Sequence, residues 1–221
     1  MRVRLLVISC IAASACTPLP SYRYKLTVEV ETPEGLRTGS SVIEVQARAE
    51  AKLLPDMQRI SATVAGEAVA VPLPGGRVLF AVLYSDSYNG HPERIARAAL
   101  LKRHPLQDSE PEVYARQAER LGSFTVMSVV PQEAYPIFVT FGDLIEPQTV
   151  NWVDPSNLGA TFGEGYRIRE LKIQTTQTEV TSDLVRWLPW TNSDVRMTVK
   201  DPDGPYYDIS SEHFRRNLRV R

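Results

Sequence analysis

The sequence predicts an α+β fold that is mainly β, with antiparallel sheets stacked sandwich-like and a two-helix insertion near residues 91–122. Three observations predict it. Two early runs alternate apolar and polar residues with a period of two, the pattern of strands with one face in a core and one in water. Sixteen prolines and twelve glycines cut the chain into short segments joined by turns. One interval, 91–122, switches to helical spacing and then returns to β patterning.

The first strand sets Tyr24, Leu26, Val28 and Val30 against Lys25, Thr27, Glu29 and Glu31. Thr32-Pro33-Glu34-Gly35 is a turn signal. The second strand sets Ile43, Val45, Ala47 and Ala49 against Glu44, Gln46, Arg48 and Glu50. The pair reads as an antiparallel hairpin with a moderately long loop that holds Gly39-Ser40-Ser41. Further strands are expected at Ile60, Ala62 and Val64, and at Val69, Val71 and Leu73. Pro74-Gly75-Gly76 turns the chain into 78–84, an apolar run without alternation. That strand is expected to be buried on both faces, at the centre of a sheet.

His91-Pro92-Glu93 opens the first helix, with proline in the first turn and a carboxylate favouring the N-terminal dipole. It is expected to reach about Arg103. Ser109-Glu110-Pro111-Glu112 reads as a capping box for the second. Tyr114, Ala118 and Leu121 share one face of it, and Gly122 is a natural stop. β structure resumes at 124–130 and 137–141. Loop chemistry dominates 142–165, followed by strands at 167–175 and 195–200. One or two helical turns are expected within 181–188, and another within 210–216.

The N-terminus carries the sharpest signal in the chain. Arg2 and Arg4 form a positive n-region, residues 5–12 a short apolar stretch, and Ala13-Ser14-Ala15 a small-residue cleavage site. The stretch is shorter than the roughly 20 apolar residues a spanning helix needs. The cysteine that follows, Cys16, matches the acceptor of a bacterial lipoprotein signal. Such signals more often carry leucine where this chain has Ala13, and A-x-A also suits ordinary signal peptidase. Cysteine arithmetic favours lipid. Cys10 leaves with residues 1–15, so Cys16 remains without a partner. A lone N-terminal thiol is a liability in an oxidising compartment, and an acylated one is not. Thr17, rather than aspartate, follows Cys16, which by resemblance to sorting in Gram-negative cells implies the outer membrane. Residues 16–22 read as lipidated cysteine and short stiff tether, with Pro18 and Pro20 holding the chain extended. Residues 23–221 read as one β-rich globular domain.

Composition excludes some partners. The formal net charge is −1 with both signs interspersed, and losing Arg2 and Arg4 makes it slightly more negative. Nucleic-acid grooves need clustered Lys and Arg, so no nucleic-acid partner is expected. The expected partners are the membrane, through the N-terminal lipid, and an envelope protein of unknown identity.

Candidate chemistry is sparse. Asp143, Glu146 and Asp154 form the best carboxylate group, able in principle to bind a divalent cation or to act as acid and base. The same residues are ordinary turn starters, two of them before proline, and their spacing matches no calcium loop. His91, His104 and His213 lack zinc-site spacing, so no metal is expected. Gly39-Ser40-Ser41 lacks the nucleophile-elbow pattern, and Gly163-Glu164-Gly165 precedes a strand where phosphate binding needs a helix. No catalytic residue and no cofactor is expected. Trp152, Trp187 and Trp190 suit a flat ligand such as a glycan, but the stronger reading is core, with Trp187 packing inward and Trp190 capping the sheet.

Phe138-Val139-Thr140-Phe141-Gly142-Asp143, Glu146-Pro147, Thr149-Val150, Val153-Asp154-Pro155, Leu158, Phe162-Gly163 and Gly165 form a pattern, continued by Leu188-Pro189-Trp190 and by 24–30. It resembles a group of bacterial envelope proteins of uncharacterised activity, most strongly over 137–190. Members often carry leucine where this chain has Thr191. The resemblance implies a shared fold and carries no activity. The reading the sequence favours is a lipid-anchored envelope protein acting as a non-enzymatic interaction or assembly module. An envelope hydrolase or metal-dependent enzyme using the 143–154 loop is one alternative. A small-ligand or glycan binder using the tryptophans is another. A soluble periplasmic or secreted form is the alternative location.

Overall fold

The computed structural model describes residues 17–50, 60–85, 92–101, 110–202 and 204–216. Cys16 and the signal segment lie outside them, as do His91, His104 and Ser109.

Among the described residues, three antiparallel sheets, the third a two-stranded hairpin, and four helices make the body, which is mainly β. The first sheet starts with β1 (Thr17–Pro18), β2 (Tyr22–Thr32), β3 (Gly35–Ala49) and β4 (Ile60–Glu67). The second starts with β5 (Val69–Pro72) and β6 (Val78–Ala81). Helices α1 (Pro92–Leu101) and α2 (Pro111–Ser123) follow. The chain then runs through β7 (Met127–Val129), β8 (Phe138–Phe141), β9 (Val150–Val153), a single turn α3 (Gly159–Phe162) and β10 (Arg167–Thr175). It finishes with the hairpin β11 (Arg196–Lys200) and β12 (Tyr206–Ser210), the short α4 (Ser211–Phe214) and β13 (Arg215–Arg216). The first sheet has the order β13-β4-β3-β2-β10-β7, and the second β5-β6-β8-β9.

Alternation in β2 does what its pattern implies. Tyr22, Tyr24, Leu26, Val28 and Val30 enter the core. The opposite face of the sheet is a charged ladder in which Glu29 meets Lys172 at 2.7 Å and Arg23 meets Glu44 at 3.0 Å. Such exposed pairs add little stability. They keep the outer face soluble.

The core side of this sheet is covered by two elements. The second sheet stacks over one part, bringing Leu79, Phe138 and Val153 onto β2 and β3. Helices α1 and α2 cover the other, through Ile95, Ala99, Tyr114, Ala118 and Leu121. Tyr24 Oη donates to the Pro92 carbonyl at 3.2 Å and ties β2 to α1. The second sheet is apolar on both faces. Val78, Phe80, Val139 and Phe141 point away from the first core into a second, closed by Leu188, Trp190, Met197, Ile209 and Phe214. The unbroken 78–84 run thus reflects burial on two sides, and β6 lies inside its sheet between β5 and β8.

Several details differ from expectation. The β2–β3 loop is a two-residue turn at Pro33-Glu34, because β3 begins at Gly35, where φ is +105°. Gly39 is therefore mid-strand, opposite Val28. β5 crosses directly over it, so a Cβ there would stand 2.2 Å from the Ala70 carbonyl oxygen. The pattern hid this stretch because a strand that must admit another backbone sheds its side chains. α2 is capped at Glu110 without a side-chain bond and relies on Pro111 at its first position. It runs through Gly122, which α2 keeps because a Cβ would press on the Ser21 carbonyl at 3.3 Å. β7 is shorter than the apolar run 124–130 implied. The 142–165 interval contains β9 and α3 as well as turns.

The expected tether is part of the sheet. Thr17 pairs with Ala49 and Pro18 with Arg48, on the β2 side of β3, since β4 holds the other side. Leu19 donates its N–H to the Ala47 carbonyl at 2.9 Å and packs against the first core. Burial of Leu19 and the backbone bonds outweigh the freedom that a proline-rich segment would otherwise keep.

Candidate functional site

An open groove of about 1440 Å³ lies between β4 and the C-terminal segment. One wall is the edge of β4. Its partner β13 reaches only Gly66 and Glu67, so among the described residues no strand pairs that side of 60–65. Ala62, Thr63 and Val64 line the groove there. The facing wall is the β11–β12 hairpin, whose period of two buries Met197, Val199 and Ile209. That leaves Arg196, Thr198 and Asp208 on the outside, with Thr198 Oγ1 donating to Asp208 Oδ1 at 3.0 Å.

α4 closes one end. Ser210 and His213 form a capping box, in which His213 Nδ1 accepts the Ser210 N–H at 2.9 Å. Nδ1 is therefore the unprotonated nitrogen of a neutral ring, and Nε2 carries the proton. The ring sits 4.9 Å from Tyr84. Burial, helped by the Arg216 charge, pulls the His213 pKa down to about 4, with Glu212 opposing. Backbone bonds fix the segment to both sheets, from Leu83 N–H to the His213 carbonyl and from Ala68 N–H to the Phe214 carbonyl.

Glu67 closes β4, where β13 pairs with it. It is 1% exposed. Its Oε2 accepts the Leu184 N–H at 2.8 Å, and Oε1 lies 3.3 Å from Arg215 Nε. Burial pushes its pKa up, while the Leu184 bond and Arg215 pull the other way. One carboxylate thus links β4, the 184 turn and β13. Arg215 also bonds the Asn192 side chain.

His213 carries a pH prediction. Its folded pKa lies below the ordinary value of 6.5, so its contribution is complete above pH 6.5 and is lost as pH falls toward about 4. After discounting for partial solvent access, the loss is about 2 kcal/mol. Glu67 has the opposite sign, since a raised carboxyl favours the folded state toward acid. Replacing His213→Gln keeps an acceptor for the cap and removes the titration. The variant is expected to lose the decline between pH 6.5 and 4 in urea midpoints while matching the parent near pH 7.5. An unchanged decline would assign the pH dependence elsewhere.

The carboxylates singled out in the sequence serve their own turns. Asp143 Oδ1 accepts the Ile145 N–H at 2.9 Å. Thr149 Oγ1 donates within the same turn, toward the Asp143 and Glu146 carbonyls. Asp154 Oδ1 accepts both the N–H and the Oγ–H of Ser156. Asp143 and Glu146 are exposed and Asp154 half-buried. No group of three His, Cys, Asp or Glu suited to a metal occurs among the described residues. Trp190 belongs to the second core, against Phe141 and Phe214, with Nε1 donating to the Leu144 carbonyl at 3.0 Å. Trp152 and Trp187 are half-buried against the same core.

The groove was not read from the sequence. Its β4 wall is an edge only because of the strand order, which no local pattern carries. The Ser210-x-x-His213 spacing was a readable signal, since it places an acceptor at the third helical position. The arrangement offers backbone donors and acceptors along an edge, three guanidiniums from Arg196, Arg215 and Arg216, and acids at Asp194, Asp208 and Glu212. That mixture suits an extended polypeptide better than a singly charged ligand. Comparison with protein-family models, with curated proteins and with solved structures finds no match for this chain.

Proposed function

We propose that the chain is a lipid-anchored cell-envelope protein, held at the outer membrane and facing the periplasm. Its β-rich body is an interaction or assembly module that performs no catalysis. The anchor is Cys16, which follows the signal pattern directly.

The observation that carries the module is the β4 edge along the groove, which no strand among the described residues pairs over 60–65. An extended segment of an envelope partner adds a strand to such an edge, drawing affinity from main-chain bonds and specificity from alternate side chains. The competing uses carry less. Asp143 and Asp154 are engaged in their own turns, and Trp190 lies in the core.

A photo-crosslinking residue placed at Thr63 in the groove, in intact cells, tests this. It is expected to give one discrete adduct with another envelope protein. The same residue at Glu34, on the far hairpin turn, is expected to give none. Adducts at neither position, or an adduct joining Thr63 only to this chain itself, would contradict the reading.

A further inference from the structure

We infer that the end of the first sheet where β1, the close of β3 and the start of β4 meet is held next to lipid headgroups, apposed to the membrane. This deepens the proposed function and rests on its lipid anchor at Cys16.

An acylated Cys16 keeps its acyl chains in the bilayer and its backbone at the headgroup level. Consecutive Cα atoms are about 3.8 Å apart, so Thr17 can be no farther than that from Cys16. Thr17 is already a sheet residue, paired with Ala49, and Leu19 is bonded to Ala47 and packed in the core. No free linker separates lipid from body. Ile60 pairs with Ala49 and Ser61 with Arg48, so the start of β4 lies at the same level as Thr17.

The orientation then follows. β3 runs from Ala49 to Gly35 and rises about 3.3 Å per residue, which places the Pro33-Glu34 turn roughly 45 Å along the strand from the lipid. The groove wall at 62–64 sits one to three residues beyond Ser61, within roughly 10 Å of that end. A partner strand entering the groove would therefore meet the protein close to the bilayer. Lipid headgroups are the fitting partner for the sheet end because the covalent anchor delivers them there, whatever their charge.

The mature lipidated chain has no other cysteine, so an introduced one is a unique label site. Purified full-length acylated protein carrying Ser61→Cys or Glu34→Cys is labelled with a fluorophore. It is then reconstituted in phosphatidylcholine vesicles containing a headgroup-nitroxide lipid. Quenching is expected to be at least several-fold greater at Ser61 than at Glu34. Inserting a flexible Gly-Ser segment of about ten residues between Cys16 and Thr17 should keep the protein on vesicles and remove the difference. Vesicle-bound protein quenched equally at the two sites, without the insertion, would overturn the apposed surface and leave the anchor standing. Protein that lacks the acyl mass and stays off vesicles would overturn both.

Discussion

Gly39→Ala is expected to destabilise the protein by about 3 kcal/mol or more, a larger effect than overpacking a side chain in a core usually gives. The added Cβ would stand 2.2 Å from the Ala70 carbonyl oxygen and 2.8 Å from its carbon. Both are backbone atoms of β5, so no rotamer change relieves the contact. Relief requires the two sheets to part where β5 crosses β3. That shift would also disturb Val69 and Val71, both fully buried in the first core. In a protein of this size, a loss of that order lowers Tm by about 10 °C. Gly142→Ala is the control. There the new Cβ meets Thr149 Cβ at 3.5 Å, ordinary contact, and a change within about 0.5 kcal/mol is expected. Urea unfolding of both variants measures the difference. Equal midpoints would mean that β5 does not cross as closely as described.

Gly39 also shows how much of the fold was legible in the sequence. β2 was readable because one side of its sheet is wet and the other dry, which forces a period of two. β6 was readable because burial on both faces forces continuous apolar residues. The stretch around Gly39 has neither signal. It is a strand whose neighbour is another backbone, so small residues replace the pattern. β9 was hidden differently. Its four residues, Val150–Val153, are flanked by Glu146-Pro147 and Asp154-Pro155, and turn chemistry masks so short an element. The tether was misjudged because Pro18 and Pro20 set only local stiffness, whereas Leu19 and its bond to Ala47 decide where the segment goes.

The candidate site was less legible than the fold. Carboxylates attract attention by type, yet Asp143 and Asp154 spend their oxygens on neighbouring N–H groups. The groove depends on β4 being next to the sheet margin, on a hairpin about 140 residues later facing it, and on Glu67 tying β4 to the 184 turn and β13. These are long-range facts. The Ser210-x-x-His213 spacing is the one local signal in the groove, and it was not read as part of a site.

The second large effect concerns attachment. Each buried methylene contributes about 0.8 kcal/mol, and one acyl chain binds only marginally, so stable anchoring takes at least two signals. Bacterial lipoprotein processing places several chains on one cysteine, enough to make dissociation negligible. No helix among the described residues is long and apolar enough to cross a membrane. The proposed anchor at Cys16 is the attachment to test. Among the described residues, the contacts of the N-terminal segment begin at Thr17 and Leu19. Cys16→Ala should accordingly fold as well as the parent while losing the lipid.

The most direct measurement is metabolic labelling of cells with a palmitate analogue, followed by membrane fractionation of the parent and of Cys16→Ala. The account predicts a labelled, membrane-bound parent and an unlabelled, folded variant recovered in the soluble fraction. A parent without label, or a variant that stays on the membrane, would contradict it.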